Sequence, residues 1–377
     1  MMSEDNSTEA SSRAGSPGEA DIHSLRERID AIDEKILFLI NERLNLAKGI
    51  GELKGRRNRQ VLDSARESEI INRLFKLNEG PIPNKALQLI FAEIFGTSRE
   101  IQQPQIVSYL GPEATYTHLA ARRFFGRAAT FMPRASIRDV FEAVEKEQCH
   151  FGVVPVENSI EGAVNYTLDL FYESELKICA EKYLTISHDL LSAAGSLEKV
   201  TVIYSHPQAL AQCRKWLQKY LPGVTMQECR STAEAAQKAL SEKGAAAIAS
   251  SEAAQLYNLQ VMASKIEDFS RNITRFLLIG KTGARPTGKD KTSLMFVTAH
   301  APGALYKALT PIAEAGLNMV KLESRPSPHE NWSYCFFLDV EGHMESAEVK
   351  ETVDIMRNHC LFMKYLGSYP QAPAEKD

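Results

Sequence analysis

One uninterrupted amphipathic run constrains this chain more than any other feature. From Ile22 to about Lys54, apolar residues recur at Leu25, Ile29, Ile32, Ile36, Leu39, Ile40, Leu44, Ala47 and Ile50. No proline or glycine interrupts the run before Gly49 and Gly51. That spacing is the period of an α-helix. A helix longer than about 25 residues exceeds what a small globular domain needs, so packing between helices of different chains is an option. Its cations are spread along the rod. At about 1.5 Å per residue, Arg26 and Lys54 stand about 42 Å apart, whereas Arg43 and Lys54 are about 16 Å apart and nearly in phase. Arg43 and Lys54 can converge on one small dianion, and Arg26 can join them only if the helix is exchanged between two chains. The alternative is that all three are solvated surface charges.

After the turn-rich Gly55-Arg56-Arg57-Asn58, the stretch Val61–Glu69 opens a second apolar-periodic helix to about Leu77. A third runs from Lys85 to Gln103, after Pro81 and Pro83. Together, Leu25-Arg26-Glu27 through Lys54, Asp63…Arg66-Glu67 and Ser98…Gln102 resemble the all-helical chorismate mutases over residues 22–103. The resemblance implies an active site of Arg26, Arg43, Lys54, Asp63, Arg66, Glu67, Ser98 and Gln102, and a first helix that crosses between subunits of a homodimer or higher homo-oligomer. Chorismate would rearrange to prephenate by a pericyclic step, which needs no nucleophile, metal or cofactor. It needs the reactive conformer held and charge on the ether oxygen stabilised. Arg26 and Arg43 would grip the two carboxylates as planar forks. Lys54 and Gln102 would donate to the ether oxygen. Asp63 or Glu67 would take the ring hydroxyl, supported by Arg66.

At 377 residues the chain has room for two or three domains. A net charge of -4 gives no reason to expect nucleic acid or an anionic membrane as partner. The six cysteines are scattered without a Cys-x-x-Cys pair, which fits reduced thiols in a cytoplasm. Residues 1–20, rich in Ser, Glu, Ala and Gly, read as a disordered leader and not a signal peptide. No apolar run approaches the roughly 20 residues that span a bilayer. Cytoplasmic localisation is the expectation.

Helix gives way to strand at Gln102-Gln103-Pro104. Short apolar strands at Ile106–Leu110, Phe151–Val156, Val200–Tyr204, Ala245–Ala249 and Phe276–Ile279 alternate with helical segments, which predicts α/β units with mostly parallel sheets. Polar clusters sit at their ends, where functional residues of such sheets collect. They are Gly111-Pro112-Glu113-Ala114-Thr115-Tyr116-Thr117-His118, Val156-Glu157-Asn158-Ser159, Ser205-His206-Pro207-Gln208 and Asn272-Ile273-Thr274-Arg275-Phe276. Each can equally be a cap or turn: Thr115 or Thr117 can cap a helix, and His206 and His188 can be packed structural histidines. As a set they resemble prephenate dehydratase over residues 105–281, with Ala114 standing where many members carry glycine. The resemblance implies a two-lobed α/β domain like periplasmic binding proteins. Thr274 would assist departure of the ring hydroxyl as a proton relay, Arg275 would meet a carboxylate, and Thr115, Thr117, Asn158, Ser159 and Gln208 would orient prephenate.

The breaker-rich 282–291 marks the next boundary. Beyond it the pattern β-α-β-β-α-β over 292–369 is the ferredoxin-like plan, followed by a tail at 370–377. Gly303-Ala304-Leu305 opens its first helix and Glu323-Ser324-Arg325-Pro326 ends its second strand. These read either as a cap and a turn or, by resemblance, as the amino-acid site of an ACT regulatory domain. There Gly303, Ala304, Leu305, Glu323, Ser324 and Arg325 would bind L-phenylalanine as inhibitor at a domain dimer interface. The three resemblances, in this order, imply a bifunctional chorismate mutase/prephenate dehydratase under feedback control. Arogenate dehydratase activity and a non-catalytic amino-acid-sensing protein are the alternatives.

Overall fold

The computed structural model describes residues 17–56, 62–326 and 334–372. Most of the expected leader, residues 57–61, residues 327–333 with the start of the expected strand at Trp332, and the end of the expected tail lie outside the described residues, as does the side chain of Lys54.

The first domain is three helices: α1 (Pro17–Arg56), α2 (Ser64–Leu77) and α3 (Asn84–Gln102). Asp63 starts α2 by accepting the backbone N–H of Arg66 at 3.1 Å. The helix α1 runs through Gly49 and Gly51 and is about 60 Å long. Only its C-terminal part packs on α3. Along the rest, Ile22, Leu25, Ile29, Ile32, Ile36 and Leu39 are 49–59% exposed, so the apolar stripe that the sequence builds is left uncovered by the described residues of one chain.

The chain then builds a first lobe with β1 (Ile106–Leu110), α4 (Tyr116–Phe125), β2 (Thr130–Arg134), α5 (Ile137–Glu145), β3 (Phe151–Asn158), β4 (Gly162–Ala163), α6 (Asn165–Glu173) and β5 (Lys177–Thr185). It crosses into a second lobe formed by β6 (Asp189–Ser192), β7 (Val202–Ser205), α7 (Pro207–Gln212), α8 (Arg214–Tyr220), β8 (Thr225–Glu228), α9 (Thr232–Ser241), β9 (Ala245–Ala249), α10 (Ser251–Tyr257) and β10 (Gln260–Ala263). It returns to the first lobe as β11 (Ile273–Gly280). The sheet orders are β2-β1-β3-β11-β5, with β4 on β3, and β10-β6-β9-β7-β8.

The expectation of mostly parallel sheets is corrected to mixed ones. β1, β2 and β3 are parallel, but β11 runs antiparallel to both β3 and β5 because it enters the first sheet from the hinge end. That return sets the bases of two polar clusters side by side, with Thr274 opposite Asn158 and Arg275 opposite Glu157.

The last unit has β12 (Asp290–Val297), α11 (Ala304–Glu314), β13 (Met319–Pro326), β14 (Tyr334–Glu341), α12 (Ala347–Arg357) and β15 (Phe362–Pro370), in the antiparallel order β13-β14-β12-β15. The ferredoxin-like plan is the observed one. Alternation along the strands sends Leu294, Phe296, Phe336 and Leu338 against α11 and α12. Met295, Val297, Cys335 and Phe337 face the other way, into one core with Phe141, Phe171, Ile178 and Ile279 of the first lobe. The segment 282–291 therefore changes direction without separating two bodies.

Candidate active sites of the helical and two-lobed domains

Four of the residues expected to hold chorismate gather where α1, α2 and α3 meet. Arg43 donates to Ser98 Oγ at 2.6 Å, and its guanidinium lies over the Phe95 ring. Burial lowers the pKa of Arg43, and the charge of Glu67 works against that. Gln102 donates to the Ser98 carbonyl at 3.1 Å, and its own buried Oε1 has no partner among the described residues. Gly51 is what lets α1 come this close: a Cβ there would lie 2.8 Å from Gln102. Asp63 caps α2 and stands 4.0 Å from Arg285. Arg26 is exposed, about 25 Å further along α1 from Arg43, and does not join them within one chain. One expectation is corrected. The Arg66 side chain supports neither Asp63 nor Glu67, because it pairs with Glu69 at 2.8 Å on the open surface; Glu67 is held by Arg99 instead.

In the two-lobed region two of the polar clusters, at Asn158 and at Asn272–Thr274, meet at the junction of the lobes through a directed chain of amides. Asn158 Oδ1 accepts from the backbone N–H of Ile160 and Glu161 at 3.0 and 3.1 Å. Its Nδ2 must then face the other way, and it donates to Asn272 Oδ1 at 2.7 Å and Thr274 Oγ1 at 2.8 Å. Asn272 Nδ2 in turn donates to Gln212 Oε1 at 3.0 Å. His188 Nε2 lies 2.9 Å from that same carbonyl oxygen, which makes Nε2 the protonated nitrogen. The hydroxyl of Thr274 is thus an acceptor on its inner side, and its own proton is left to donate elsewhere.

The strand signal had marked Asn158 and Thr274. Gln212 and the orienting role of His188 were missed, since α7 places Gln212 at the junction only once the lobes are assembled.

The remaining expected residues do different work. Thr115 caps α4, accepting from His118 N at 3.3 Å and lying 3.0 Å from the Leu110 and Pro112 carbonyls. Ser159 Oγ ties the loop to β11 through Arg271 O and Ile273 N, both at 2.9 Å. Both hydroxyls are engaged with backbone, so the cap-and-turn reading accounts for them. His206 likewise caps α7. Thr117 is buried on α4 and Gln208 half-buried on α7, one on each lobe. Ala114 adopts φ 63, the left-handed region, which is the physical reason a glycine suits that position.

Arg275 needs the largest correction. Next to Thr274 on a strand, it points to the opposite face. It is 4% exposed and donates to Glu181 at 2.8 Å, Asp339 at 2.7 Å and the Tyr369 hydroxyl at 2.8 Å. Lys291 completes the cluster on Glu181 at 2.9 Å. The carboxylates that Arg275 meets belong to the protein, and one of them comes from the C-terminal unit.

Alternation also divides the residues expected to bind phenylalanine. Gly303, at φ 77, opens α11 with Ala304 and Leu305. They lie at the end of the sheet where Val297 and Arg325 both pair with Cys335. Lys321, Glu323 and Arg325 share the face turned to the first lobe, with Arg325 3.3 Å from Asp169, whereas Ser324 is on the helix side. The six do not form one cluster within a chain.

Burial holds the pKa of His188 below its ordinary 6.5 despite the bond to Gln212. Between the folded value and about 6.5 the unfolded chain binds the extra proton, so stability is whole above that window and falls as pH drops through it. Thermal unfolding midpoints should decline on acidification below pH about 6.5, with a shallower decline in His188→Gln. An equal slope in the variant would place the titration elsewhere.

Residues 25–103 match the family described as chorismate mutase type II, and residues 107–284 match prephenate dehydratase. A bifunctional chorismate mutase/prephenate dehydratase of Aquifex aeolicus is 48% identical over 93% of this chain and 98% of its own. The prephenate dehydratase of Arthrobacter aurescens, solved in complex with L-Phe, aligns with a TM-score of 0.66 and 32% identity over 71% of this chain and 92% of that one. GqqA, described as a novel type of quorum quenching acylase, aligns at 0.65 and 32%, covering 71% of this chain and 99% of that one.

A helical isomerase domain joined to an α/β lyase domain defines a two-activity enzyme of aromatic amino-acid biosynthesis. The chain belongs to the bifunctional chorismate mutase/prephenate dehydratase family, and it carries both activities.

Proposed function

We propose that the chain turns chorismate into prephenate and prephenate into phenylpyruvate in the cytoplasm, as a dimer that exchanges α1, under feedback inhibition by L-phenylalanine. The uncovered stripe of α1 supports the exchange: a second copy covers it and brings Arg26 to the site of Arg43, Ser98 and Gln102. There Arg26 and Arg43 hold the carboxylates, Lys54 and Gln102 donate to the ether oxygen, and Glu67 or Asp63 takes the ring hydroxyl.

The observation that carries the dehydratase mechanism is the direction of the amide chain. With Asn158 donating to Thr274 Oγ1, the Thr274 proton is offered to the ring hydroxyl as its C–O bond breaks. The ring carboxylate departs as carbon dioxide, its bonding electrons complete the aromatic ring, and the hydroxyl leaves as water. Thr117 on α4 and Gln208 on α7 orient the substrate.

Feedback is supported by the ferredoxin-like unit, by Gly303 opening α11, and by the L-Phe complex of the Arthrobacter aurescens relative. Exposed Val320, Leu322 and Tyr334 offer an apolar edge on which two such units can pair, so that Gly303, Ala304, Leu305 and Ser324 face a second copy. The signal reaches Thr274 through the shared core and the Arg275 cluster.

Purified protein given chorismate should form phenylpyruvate, and the yield should fall when millimolar L-phenylalanine is added. Prephenate accumulating unconsumed would remove the dehydratase assignment and favour arogenate, offered in parallel as substrate. Indifference to phenylalanine would remove the regulatory one.

A further inference from the structure

Arg99 lies one residue beyond Ser98 on α3 and is 4% exposed. Its guanidinium serves two domains at once. Nη1 pairs with Glu67 Oε1 in the mutase region, and Nη2 donates to the Phe124 carbonyl at 3.0 Å. Phe124 is in the last turn of α4, the helix that Thr115 caps in the dehydratase region. A cation is favoured against the free carbonyls of a helix end, and the same guanidinium lies over the Phe125 ring at 5.7 Å. Gly96, one turn earlier on α3, makes the approach possible, because a Cβ there would stand 2.5 Å from the Phe125 carbonyl oxygen. On its other side Glu67 acts on Arg43, whose charge it favours against burial. Glu67 therefore stands between a cation of the mutase site and a cation anchored to the dehydratase. Arg66, the nearer candidate by sequence, is paired with Glu69 and more than half exposed.

We propose that Arg99 is a positioning residue of the mutase: it fixes the Glu67 carboxylate in the chorismate site by fastening it to α4, so that the domain that follows completes the first active site. A glutamate on a partly open helix face otherwise samples several rotamers, and fixing it in advance removes that cost from the reaction. The planar fork of arginine suits the task because it reaches a carboxylate and a carbonyl together. The inference rests on the reading that Glu67 binds chorismate.

The test uses the full chain in three forms, Glu67→Gln, Arg99→Met and the double variant, with chorismate and prephenate as separate substrates. Arg99→Met should lower mutase kcat by about tenfold to a hundredfold. The double variant should be no worse than Glu67→Gln to within about twofold, because the two act as one unit. Prephenate turnover should hold to within about twofold in each form, reporting an intact fold. Unchanged mutase kinetics in Arg99→Met beside an impaired Glu67→Gln overturns the inference and leaves the Glu67 assignment standing. A neutral Glu67→Gln overturns both. Losses that add in the double variant overturn it too, since Arg99 then acts by another route. If Arg99→Met loses both activities, Arg99→Lys decides, because lysine reaches one partner and not both. Dehydratase activity retained with lowered mutase kcat supports the positioning role, and full mutase activity ends it.

Discussion

Thr274→Val should all but abolish prephenate turnover while leaving chorismate consumption untouched. The substitution keeps the volume of the side chain and removes its one oxygen. Two losses follow from the same atom. The donor proposed for the departing hydroxyl disappears, and deletions of this kind cost about 10²–10³-fold in kcat. Asn158 Nδ2 also loses an acceptor in a buried site, which costs about 1–3 kcal/mol of local order. Thr274→Ser keeps the oxygen and should recover most of the rate, with a penalty from its freer rotamer. The measurement is phenylpyruvate formation from prephenate, with the mutase rate of the same preparation as internal control. A Thr274→Val enzyme within threefold of the parent kcat, or changed only in KM, would mean that another group delivers the proton.

Asn158 and Thr274 were visible in the sequence because they break an apolar strand at its end, and the helices were visible because nothing interrupts their period. The ferredoxin-like order was legible for the same reason, six short segments of clear type between obvious breakers. What escaped was direction. Glu157-Asn158 and Thr274-Arg275 each look like one polar cluster in a sequence, yet a strand turns successive residues to opposite faces. The pairing of β11 with β3 puts Asn158 beside Thr274 at the junction of the lobes and Glu157 beside Arg275 against the C-terminal unit. Glu157 there meets Lys321 of β13 at 2.7 Å. Gln212 and Arg99 escaped for a related reason: each takes its role from a partner in another lobe or domain, and a helical residue carries no local mark of such a partner. Ala114 is the reverse case: the departure from glycine is plain in the sequence, but the reason glycine suits the position, a positive φ, is a backbone property.

The alternation has a consequence for control that Asp339→Asn should expose. Asp339 lies on β14, accepts from Arg275 at 2.7 Å and from Ser293 at 2.5 Å, and is 6% exposed. Arg275 and Lys291 are balanced by Glu181 and Asp339, so the cluster is neutral as built. Neutralising Asp339 leaves a buried excess of positive charge, and breaking a buried pair by removing one partner costs about 3–5 kcal/mol. Part of that cost is avoidable if the C-terminal sheet shifts away from β11, and under the feedback proposed above that shift is the motion L-phenylalanine would drive or oppose. The variant should therefore unfold at lower temperature and respond more weakly to L-phenylalanine, with the half-inhibitory concentration rising at least about fivefold, the lower end of typical coupling between sites. Mutase turnover should not change, because the cluster lies wholly between the first lobe and the C-terminal unit. Arg275→Met tests the same point from the other side. A substrate clamp would give a raised KM for prephenate in a protein of normal stability. A structural coupler would give lost stability and a prephenate KM close to the parent value in whatever fraction folds. Normal melting and normal inhibition in Asp339→Asn would show that the phenylalanine signal reaches Thr274 by a route that bypasses Arg275.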